Sequence, residues 1–302
     1  MQDISERPSA LAPDRQARGI SGFRDLMVHL DNTAEDEVRI AHAEAIAGMC
    51  GAHLTGIYTN LLPDYGMVSV GDVTGAAISA LVEVEEQARR EAAEASKRFS
   101  KRFSRLSVPG ELRCIDASPG EMVRRVVTEA RWSDLFVASC PYRDDAASGW
   151  DEILETVLFE GGHSVYFVPP GMKPRPRLTR VMIAWSDTRQ SARAVAEALP
   201  FLRASSDVEI VVVESEHEAN TSGYVATDIA AHLDRHGTKV TIRPVEQGHW
   251  SVSEALLEQV LDRSADLVVM GAYGHSRWRE WIMGGTTREM LQTSTVPLLM
   301  AH

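Results

Sequence analysis

The feature that most constrains this 302-residue chain is an internal duplication. Two segments begin alike, since residues 25–33 read DLMVHLDNT and residues 180–188 read RVMIAWSDT. Each is an apolar run that ends in a small polar cluster, and each precedes an alanine-rich stretch with helical spacing, at residues 35–51 and 189–204. Asp and Thr side chains at such a junction are favourable helix N-caps. The pattern predicts two copies of one unit that starts with a strand and a helix.

Two further pairs of segments repeat in the same order. An Asp-Leu dipeptide opens an apolar run at residues 133–138 and again at 265–270, each time after an amphipathic helical stretch. Another apolar run closes each half, at residues 163–168 and 295–300. Short apolar strands that alternate with helices predict a parallel sheet with helices on both faces. The predicted fold class is therefore α/β, with two tandem doubly wound five-stranded parallel-sheet domains of Rossmann-like α/β/α layering.

The domain boundaries follow from this repeat and from a proline-rich stretch between the copies. Residues 1–21 are predicted to form a flexible N-terminal tail, and residues 22–170 the first domain. Residues 171–178 are predicted to form a stiff linker, and residues 179–302 the second domain. The first copy is longer because of a glycine-containing loop before a charged surface helix, which is predicted over residues 81–103.

The composition of the chain limits where the protein is expected to be located and which partners it is expected to bind. The formal net charge is −12, and an acidic surface repels nucleic-acid phosphates and anionic membranes, so neither is an expected partner. No apolar run reaches the roughly 18 residues that a membrane helix needs. The three cysteines, Cys50, Cys114 and Cys140, have no metal-like spacing, and the polar N-terminus lacks an apolar signal stretch. We therefore expect a cytoplasmic protein with reduced thiols and no metal site.

The most distinctive sequence follows the fourth predicted strand of the second half, where residues 270–287 read MGAYGHSRWREWIMGGTT. In doubly wound folds, ligands bind beyond the carboxyl ends of the strands. Gly271 and Gly274 allow the backbone to approach a ligand without a Cβ in the way. Amides and hydroxyls at the start of the next helix, predicted over residues 288–293, suit an anionic phosphate. The sequence therefore predicts a phosphate-binding loop at this edge.

This spacing, Gly-x2-Gly-x9-Gly followed by small or hydroxyl residues, resembles that of the universal stress protein family, and the resemblance covers residues 21–302. It implies a stress-response protein that binds ATP, or else ADP, AMP or a cyclic dinucleotide, with Mg as a companion ion. The implied phosphate and ribose side consists of Gly271, Gly274, Gly284, Gly285, Thr286 and Thr287, with Met270 and His275 beside them. The implied adenine side consists of Ala184, Trp185 and Ser186, with Val213 below.

The two halves differ from the family pattern in different ways. In the second half, Gly285 stands where Ser or Thr follows the last motif glycine, and Ser186 stands where Asp ends the first strand. The first half keeps that residue as Asp31, but it has no Gly-x2-Gly after its fourth strand. Carboxylates follow instead, at Asp144, Asp145, Asp151 and Glu152. We therefore expect no ATP in the first half.

The aromatic and basic residues inside the glycine-rich segment allow more than one interpretation. Trp278 and Trp281, at i and i+3, are more typical of packing than of stacking on a base. His275 either contacts a phosphate or is an exposed loop histidine. Arg277 and Arg279 either supply positive charge to the nucleotide or are solvated.

The predicted function is a non-catalytic, nucleotide-dependent sensor or regulator. The chain has none of the P-loop, dinucleotide, metalloprotease or nucleophile-elbow motifs, so no catalytic residues are predicted. The alternatives are a scaffold or chaperone-like stress protein that binds no nucleotide and, less favoured, a slow nucleotide hydrolase. The resemblance also implies that the closing strands of the two halves pair across a pseudo-two-fold axis. We expect in addition a homodimer and a protein partner of unknown identity.

Overall fold

The computed structural model describes residues 22–64, 75–142, 150–214, 222–273 and 285–302. The first half contains β1 (Asp25–Leu30), α1 (Asp36–Cys50), β2 (His53–Leu61), α2 (Gly75–Phe103), β3 (Gly110–Ala117), α3 (Pro119–Ala130), β4 (Leu135–Ser139), α4 (Trp150–Glu160) and β5 (Val165–Val168). The second half contains β6 (Arg180–Ala184), α5 (Arg189–Ala204), β7 (Asp207–Glu214), α6 (Ser222–Arg235), β8 (Thr241–Glu246), α7 (Val252–Arg263), β9 (Leu267–Gly271), α8 (Gly285–Thr293) and β10 (Leu298–Ala301).

The strands form one ten-stranded sheet in the order β3-β2-β1-β4-β5-β10-β9-β6-β7-β8. Within each half all neighbouring strands are parallel. The halves join through an antiparallel pair, in which Leu298 of β10 faces Phe167 of β5 and Met300 faces Val165. The predicted fold class, two tandem doubly wound five-stranded parallel sheets, is confirmed, and the two closing strands pair with each other as predicted.

The outer edges of the sheet are β3 and β8, and both carry features that oppose further strand pairing. Glu111 and Arg113 place charges on β3, and Pro244 removes one backbone donor from β8. The apolar closing strands β5 and β10 pair with each other in the interior of the sheet, away from these edges. No helix in the described ranges is both long and apolar enough to cross a membrane.

The repeated Asp-Leu dipeptide has the same structural task in both halves. Asp134 accepts hydrogen bonds from the backbone N–H groups of Arg24 (2.6 Å) and Asp25 (3.0 Å). Asp266, which is buried, accepts one from the N–H of Thr179 (2.7 Å). Each carboxylate therefore fixes the start of its half's first strand beside the fourth strand. This part of the repeat is architectural.

Two hydrophobic cores cover the two faces of the sheet, and each extends through both halves. On one face Phe201 of α5 packs against Tyr166 of β5, with ring centroids 5.9 Å apart. On the other face Phe136 and Phe167 are fully buried under α3 and α4. Burial of side chains of this size contributes about 1.5–3 kcal/mol each. The carboxyl ends of the strands, where loops follow, are thus held on a rigid base.

Two helices begin earlier than the sequence predicts. The prediction placed their starts at residues 81 and 288, whereas α2 begins at Gly75 and α8 at Gly285. Glycine is unfavourable inside a helix but is tolerated in the first turn, where the backbone N–H groups have no intrahelical acceptor in any case. Gly285, Thr286 and Thr287 therefore form the first turn of α8.

Candidate functional site

The described flanks of the glycine-rich segment meet at the carboxyl edge of the second half. The backbone N–H of Tyr273, two residues beyond the end of β9, donates to Oγ1 of Thr287 (3.2 Å). Thr287 lies in the first turn of α8 and is buried. The two flanks of the segment are therefore in direct contact. The predicted site residues Gly274, His275 and Gly284 lie outside the described residues, as do Arg277, Trp278, Arg279 and Trp281.

Gly271 is required for a steric reason. A Cβ at this position would lie 2.5 Å from the backbone N of Ser191 and 2.7 Å from the carbonyl carbon of Gln190, in the first turn of α5. Only glycine lets β9 end this close to the helix. At Gly285, by contrast, a Cβ would meet no atom of the described residues within 4 Å. The first motif glycine serves close packing, whereas the described residues leave the space beside Gly285 unoccupied.

The end of β6 carries a cluster of hydroxyl groups. Thr188 caps α5, accepting a hydrogen bond from the backbone N–H of Ser191 (3.2 Å). Oγ of Ser186 lies 2.9 Å from Oγ of Ser191. Beside them, the indole N–H of Trp185 is buried and has no acceptor in the part of the chain that the structure describes. The predicted adenine side therefore combines small hydroxyl groups with one indole donor.

The remaining predicted residues lie near the same edge. Ala184 is half-buried at the end of β6, and Val213 is half-buried near the end of β7. Met270 is buried in β9, and Thr286 is half-buried in α8. Within the described ranges no group of three or more His, Cys, Asp or Glu residues could hold a metal ion. None of Ala184, Val213, Met270 and Thr286 has a side chain that titrates near neutral pH.

The first half has a buried ion cluster at the corresponding edge. Arg39 of α1 is 1% exposed, and its guanidinium binds the carboxylates of both Asp31 and Asp36. One of its nitrogens also donates to Oγ1 of Thr33 (3.2 Å). Burial is the largest influence on Asp31 and opposes its ionisation, but the charge and hydrogen bond of Arg39, with smaller contributions from His29 and Thr33, together hold the pKa of that carboxyl below its usual range. Burial raises the pKa of Asp36 to about 6 despite the same guanidinium.

His29 extends this cluster into the strands. Its Nε2 lies 2.9 Å from Oγ1 of Thr59, and that hydroxyl donates to the carbonyl of Leu30 (3.1 Å). Because threonine has a single hydroxyl proton, Nε2 of His29 must be the donor, and Nδ1 is then unprotonated. Nδ1 is buried and has no partner among the described residues. Burial lowers the pKa of His29 to about 4, although Asp31 opposes the shift.

Strand register shows which residues of the two halves correspond. Val28 of β1 faces Val137 of β4, and Ile183 of β6 faces Val269 of β9. Counting on from these pairs, the residues that correspond to His29, Asp31, Asp36 and Arg39 are Ala184, Ser186, Ser191 and Ala194. In the next strands, Leu26 pairs with Leu54 and Val181 pairs with Val208, so the residue that corresponds to Thr59 is Val213. The second half therefore has small, hydroxyl or apolar residues wherever the first half has the ion cluster.

The same count relates the loops after the fourth strands. Ser139 corresponds to Gly271, and Tyr142 corresponds to Gly274. Tyr142 has φ = 66°, a left-handed conformation that glycine favours. The exposed first turn of α4 carries Asp151 and Glu152, the acidic residues noted in the sequence, while Asp144 and Asp145 lie outside the described residues.

Sequence reasoning singled out Asp31 but missed its partners. The i,i+3 spacing of Asp36 and Arg39 in an alanine-rich helix was the available signal, together with a histidine inside an otherwise apolar strand. None of the three cysteines is in a disulfide; Cys50 and Cys140 are buried and Cys114 is exposed.

Several known proteins are similar to this chain in sequence or in fold. The model of the Universal stress protein family matches residues 178–302. Universal stress protein Slr1230 from Synechocystis sp. is 36% identical over 67 residues, which is 22% of this chain and 22% of that protein. A universal stress protein from Archaeoglobus fulgidus DSM 4304 has a TM-score of 0.68 at 15% identity, over 94% of this chain and 97% of that one. A Pseudomonas aeruginosa UCBPP-PA14 protein, provisionally named as a universal stress protein, has a TM-score of 0.54 at 11% identity, over 92% and 93% of the two chains.

The sequence match to the family model falls on the second half, and the structural similarity extends over both halves. The chain matches only about a fifth of the length of the Synechocystis relative, 22%, so that protein's properties do not transfer directly. The second half carries the family's sequence pattern and the first half repeats its fold. Residues 178–302 thus match the Universal stress protein family, and the whole chain has the fold of a two-domain universal stress protein.

Proposed function

We propose that the second half binds an adenine nucleotide, ATP, at the carboxyl edge of β6, β7 and β9. One observation carries this proposal: the flanks of the glycine-rich segment meet at Tyr273 and Thr287, and Gly271 packs on the start of α5, next to the end of β6. Phosphates would lie at the N-terminus of α8, where backbone N–H groups and the helix dipole favour anions. The adenine would lie along Ala184, Trp185 and Ser186.

The proposed role is binding without catalysis. The polar side chains in the described part of the predicted site are hydroxyls and one indole, and none of them transfers protons readily near neutral pH. Mg²⁺, where it accompanies ATP, would be held by the phosphates. The nucleotide would act by ordering the glycine-rich segment and so changing the surface offered to a partner.

The test begins with freshly purified protein, denatured so that any bound small molecule is released and identified by mass spectrometry. Binding of added ATP is then measured by calorimetry on the wild type and on Thr286→Glu. The substitution places a carboxylate at the helix start, which suits the helix dipole but repels phosphate. Gly120→Glu adds the same charge to the first turn of α3, where a Cβ meets no atom within 4 Å, and is the matched control.

An adenine nucleotide in the wild type and in Gly120→Glu, absent from Thr286→Glu, is the expected result. A wild-type protein that is empty and ignores millimolar ATP would contradict the proposal. The slow-hydrolase alternative is tested in the same samples by following release of phosphate, which we expect to be absent.

A scaffold that binds no nucleotide is the second candidate. It is favoured by three exposed apolar side chains on α2, namely Ile78 (47% exposed), Val82 (42%) and Val84 (56%), because exposed apolar groups on one helix are typical of partner surfaces. A homodimer and a cytoplasmic location belong to both candidates. Sedimentation of the chain with and without ATP separates them, since only the nucleotide sensor changes its association when ATP is added.

A further inference from the structure

The two halves also meet in a polar contact outside the β5–β10 pair. We call Tyr142, Glu155, Tyr273 and Arg288 the seam cluster. The hydroxyls of Tyr142 and Tyr273 are 3.4 Å apart. The guanidinium carbon of Arg288 lies 4.8 Å from the centroid of the Tyr142 ring, within the range of a cation–π interaction. Gln292 adds a hydrogen bond from Nε2 to the carbonyl of Tyr142 (3.4 Å). One residue of the first half thus contacts three of the second.

The contacted residues flank the glycine-rich segment. Tyr273 lies two residues beyond Gly271, and its backbone is in the left-handed region at φ = 55°. Arg288 directly follows Thr287, the residue whose hydroxyl receives the Tyr273 N–H. Tyr142 therefore contacts Tyr273 on one flank of the segment and Arg288 on the other.

Glu155 and Arg288 occupy equivalent positions in the two halves but carry opposite charges. Counted back from the helix ends at Glu160 and Thr293, Glu155 of α4 and Arg288 of α8 hold the same position. A two-fold pair of identical halves would place like charges here, whereas this chain has opposite ones. Oε1 of Glu155 is buried without a partner among the described residues. Burial raises the pKa of Glu155, and the Arg288 charge opposes that shift.

We propose that Tyr142 is a positioning residue which the first half contributes to the nucleotide site of the second half. The inference rests on the proposed function, since it concerns the same site. Its ring holds Arg288 and its hydroxyl contacts Tyr273, so both flanks of the glycine-rich segment are ordered before a nucleotide arrives. Ordering in advance lowers the entropy cost of binding and therefore raises affinity. The first half would then help to order the nucleotide site of the second half, although the carboxyl edge of its own sheet is occupied by the Arg39 side chain.

The test compares Tyr142→Ala and Tyr142→Phe with the wild-type chain. Tyr58→Phe is the matched control, because Tyr58 is a buried tyrosine of the same half that packs on Phe99, away from the seam cluster. Three quantities are measured for each: the melting temperature, the ATP dissociation constant, and amide hydrogen exchange of residues 285–293 without ligand. Exchange needs no nucleotide, so it reports on the seam cluster even if ATP does not bind.

For Tyr142→Ala we expect exchange in α8 to be about five-fold faster and the ATP dissociation constant to rise about five-fold, as the loss of one cation–π contact and one hydroxyl contact implies. Tyr142→Phe keeps the ring under Arg288 and should show about half of this effect on a logarithmic scale. Tyr58→Phe should change the melting temperature alone. The inference is overturned if amide exchange in Tyr142→Ala equals that of the wild type. It is also overturned if the wild type binds ATP and Tyr142→Ala binds it with the same dissociation constant. If the wild type binds no ATP, the proposed function is wrong. Faster amide exchange in Tyr142→Ala would in that case still show that Tyr142 orders α8.

Discussion

The carboxyl edges of the two halves share one backbone plan and differ in what fills them. In the first half the edge holds a buried guanidinium, Arg39, shared by Asp31 and Asp36. In the second half the positions of Asp31 and Arg39 hold Ser186 and Ala194. The strands, their order and the Asp-Leu anchors are the same in both. The two halves therefore share an architecture and differ at this edge: one edge is satisfied by its own charges, and the other is lined by small residues and hydroxyls.

The largest effect on stability is expected from removal of the Arg39 guanidinium. Removal of Arg39 leaves two buried carboxylates without a counter-charge, and such a loss costs about 3–5 kcal/mol. We therefore expect Arg39→Met to lower the free energy of unfolding by that amount, measured by urea denaturation. The matched control is Arg125→Met, which breaks an exposed pair with Glu121 and should change stability by less than about 1 kcal/mol. A cost below about 1 kcal/mol for Arg39→Met would mean that the ion cluster does not fill the first half as described.

The pH dependence of stability should also originate in the first half. His29 is neutral when folded because burial lowers its pKa to about 4, whereas the unfolded value is 6.5. The unfolded chain then binds the extra proton, so stability falls as pH falls from about 6.5 to 4, by up to about 3 kcal/mol from this group. Asp36 acts in the opposite direction, because its raised pKa of about 6 makes stability fall as pH rises through that value.

In the wild type the contributions of His29 and Asp36 largely cancel between about pH 4 and 6. Replacement of His29 by Asn removes one of them, so the stability of the variant should fall as pH rises from about 4 to 6, because the Asp36 contribution remains. The measurement is urea unfolding at a series of pH values. His249→Asn, which changes a histidine in the second half, is the control and should leave the slope as in the wild type. A slope that is the same in His29→Asn and the wild type would contradict a buried neutral His29.

A smaller effect is expected at the end of the fourth strands. Gly271→Ala should lower the free energy of unfolding by about 1–3 kcal/mol, because the added methyl meets the α5 backbone at 2.5 Å and backbone cannot move aside. The equivalent change in the first half, Ser139→Ala, should cost less than about 0.5 kcal/mol. The ratio of the two costs, measured by thermal or urea unfolding, tests the close packing directly. Equal costs would show that Gly271 is retained for some other reason.

The smallest effect on stability is expected at the candidate phosphate position. Thr286→Glu adds a negative charge to the first turn of α8, which favours the helix by about 0.3–1 kcal/mol. The melting temperature should therefore stay equal to that of the wild type or rise slightly. A large fall in melting temperature would mean that Thr286 has a packing role, and Thr286→Gln would then replace it in the binding experiments.

The fold could be predicted from the sequence because the repeat states it twice. Each apolar run with its polar ending predicted one strand, and two matching series left only one arrangement that buries both faces of a parallel sheet. The second-half residues Ser186, Gly271 and Thr287 were likewise predicted near one edge, since strand ends in a parallel sheet lie together.

The first-half cluster could not be predicted in the same way. Arg39 looks like a solvated helix residue in the sequence, and only tertiary packing shows that its face of α1 lies against β1 and β2. The tautomer of His29 depends on Thr59, which is 30 residues away. The helix start at Gly285 also escaped prediction, because a Gly-Gly pair more often signals a turn than a first helical turn. Long-range contacts and rare helix starts carry weak local signals.

The most direct test is the stoichiometry of ATP binding to the intact chain, measured by titration calorimetry at known active concentration. The two edges predict one ATP per chain, bound in the second half, with binding lost in Thr286→Glu and retained in Gly120→Glu. Two ATP molecules per chain, or undiminished binding in Thr286→Glu, would contradict the assignment of the filled edge to the first half and the open edge to the second.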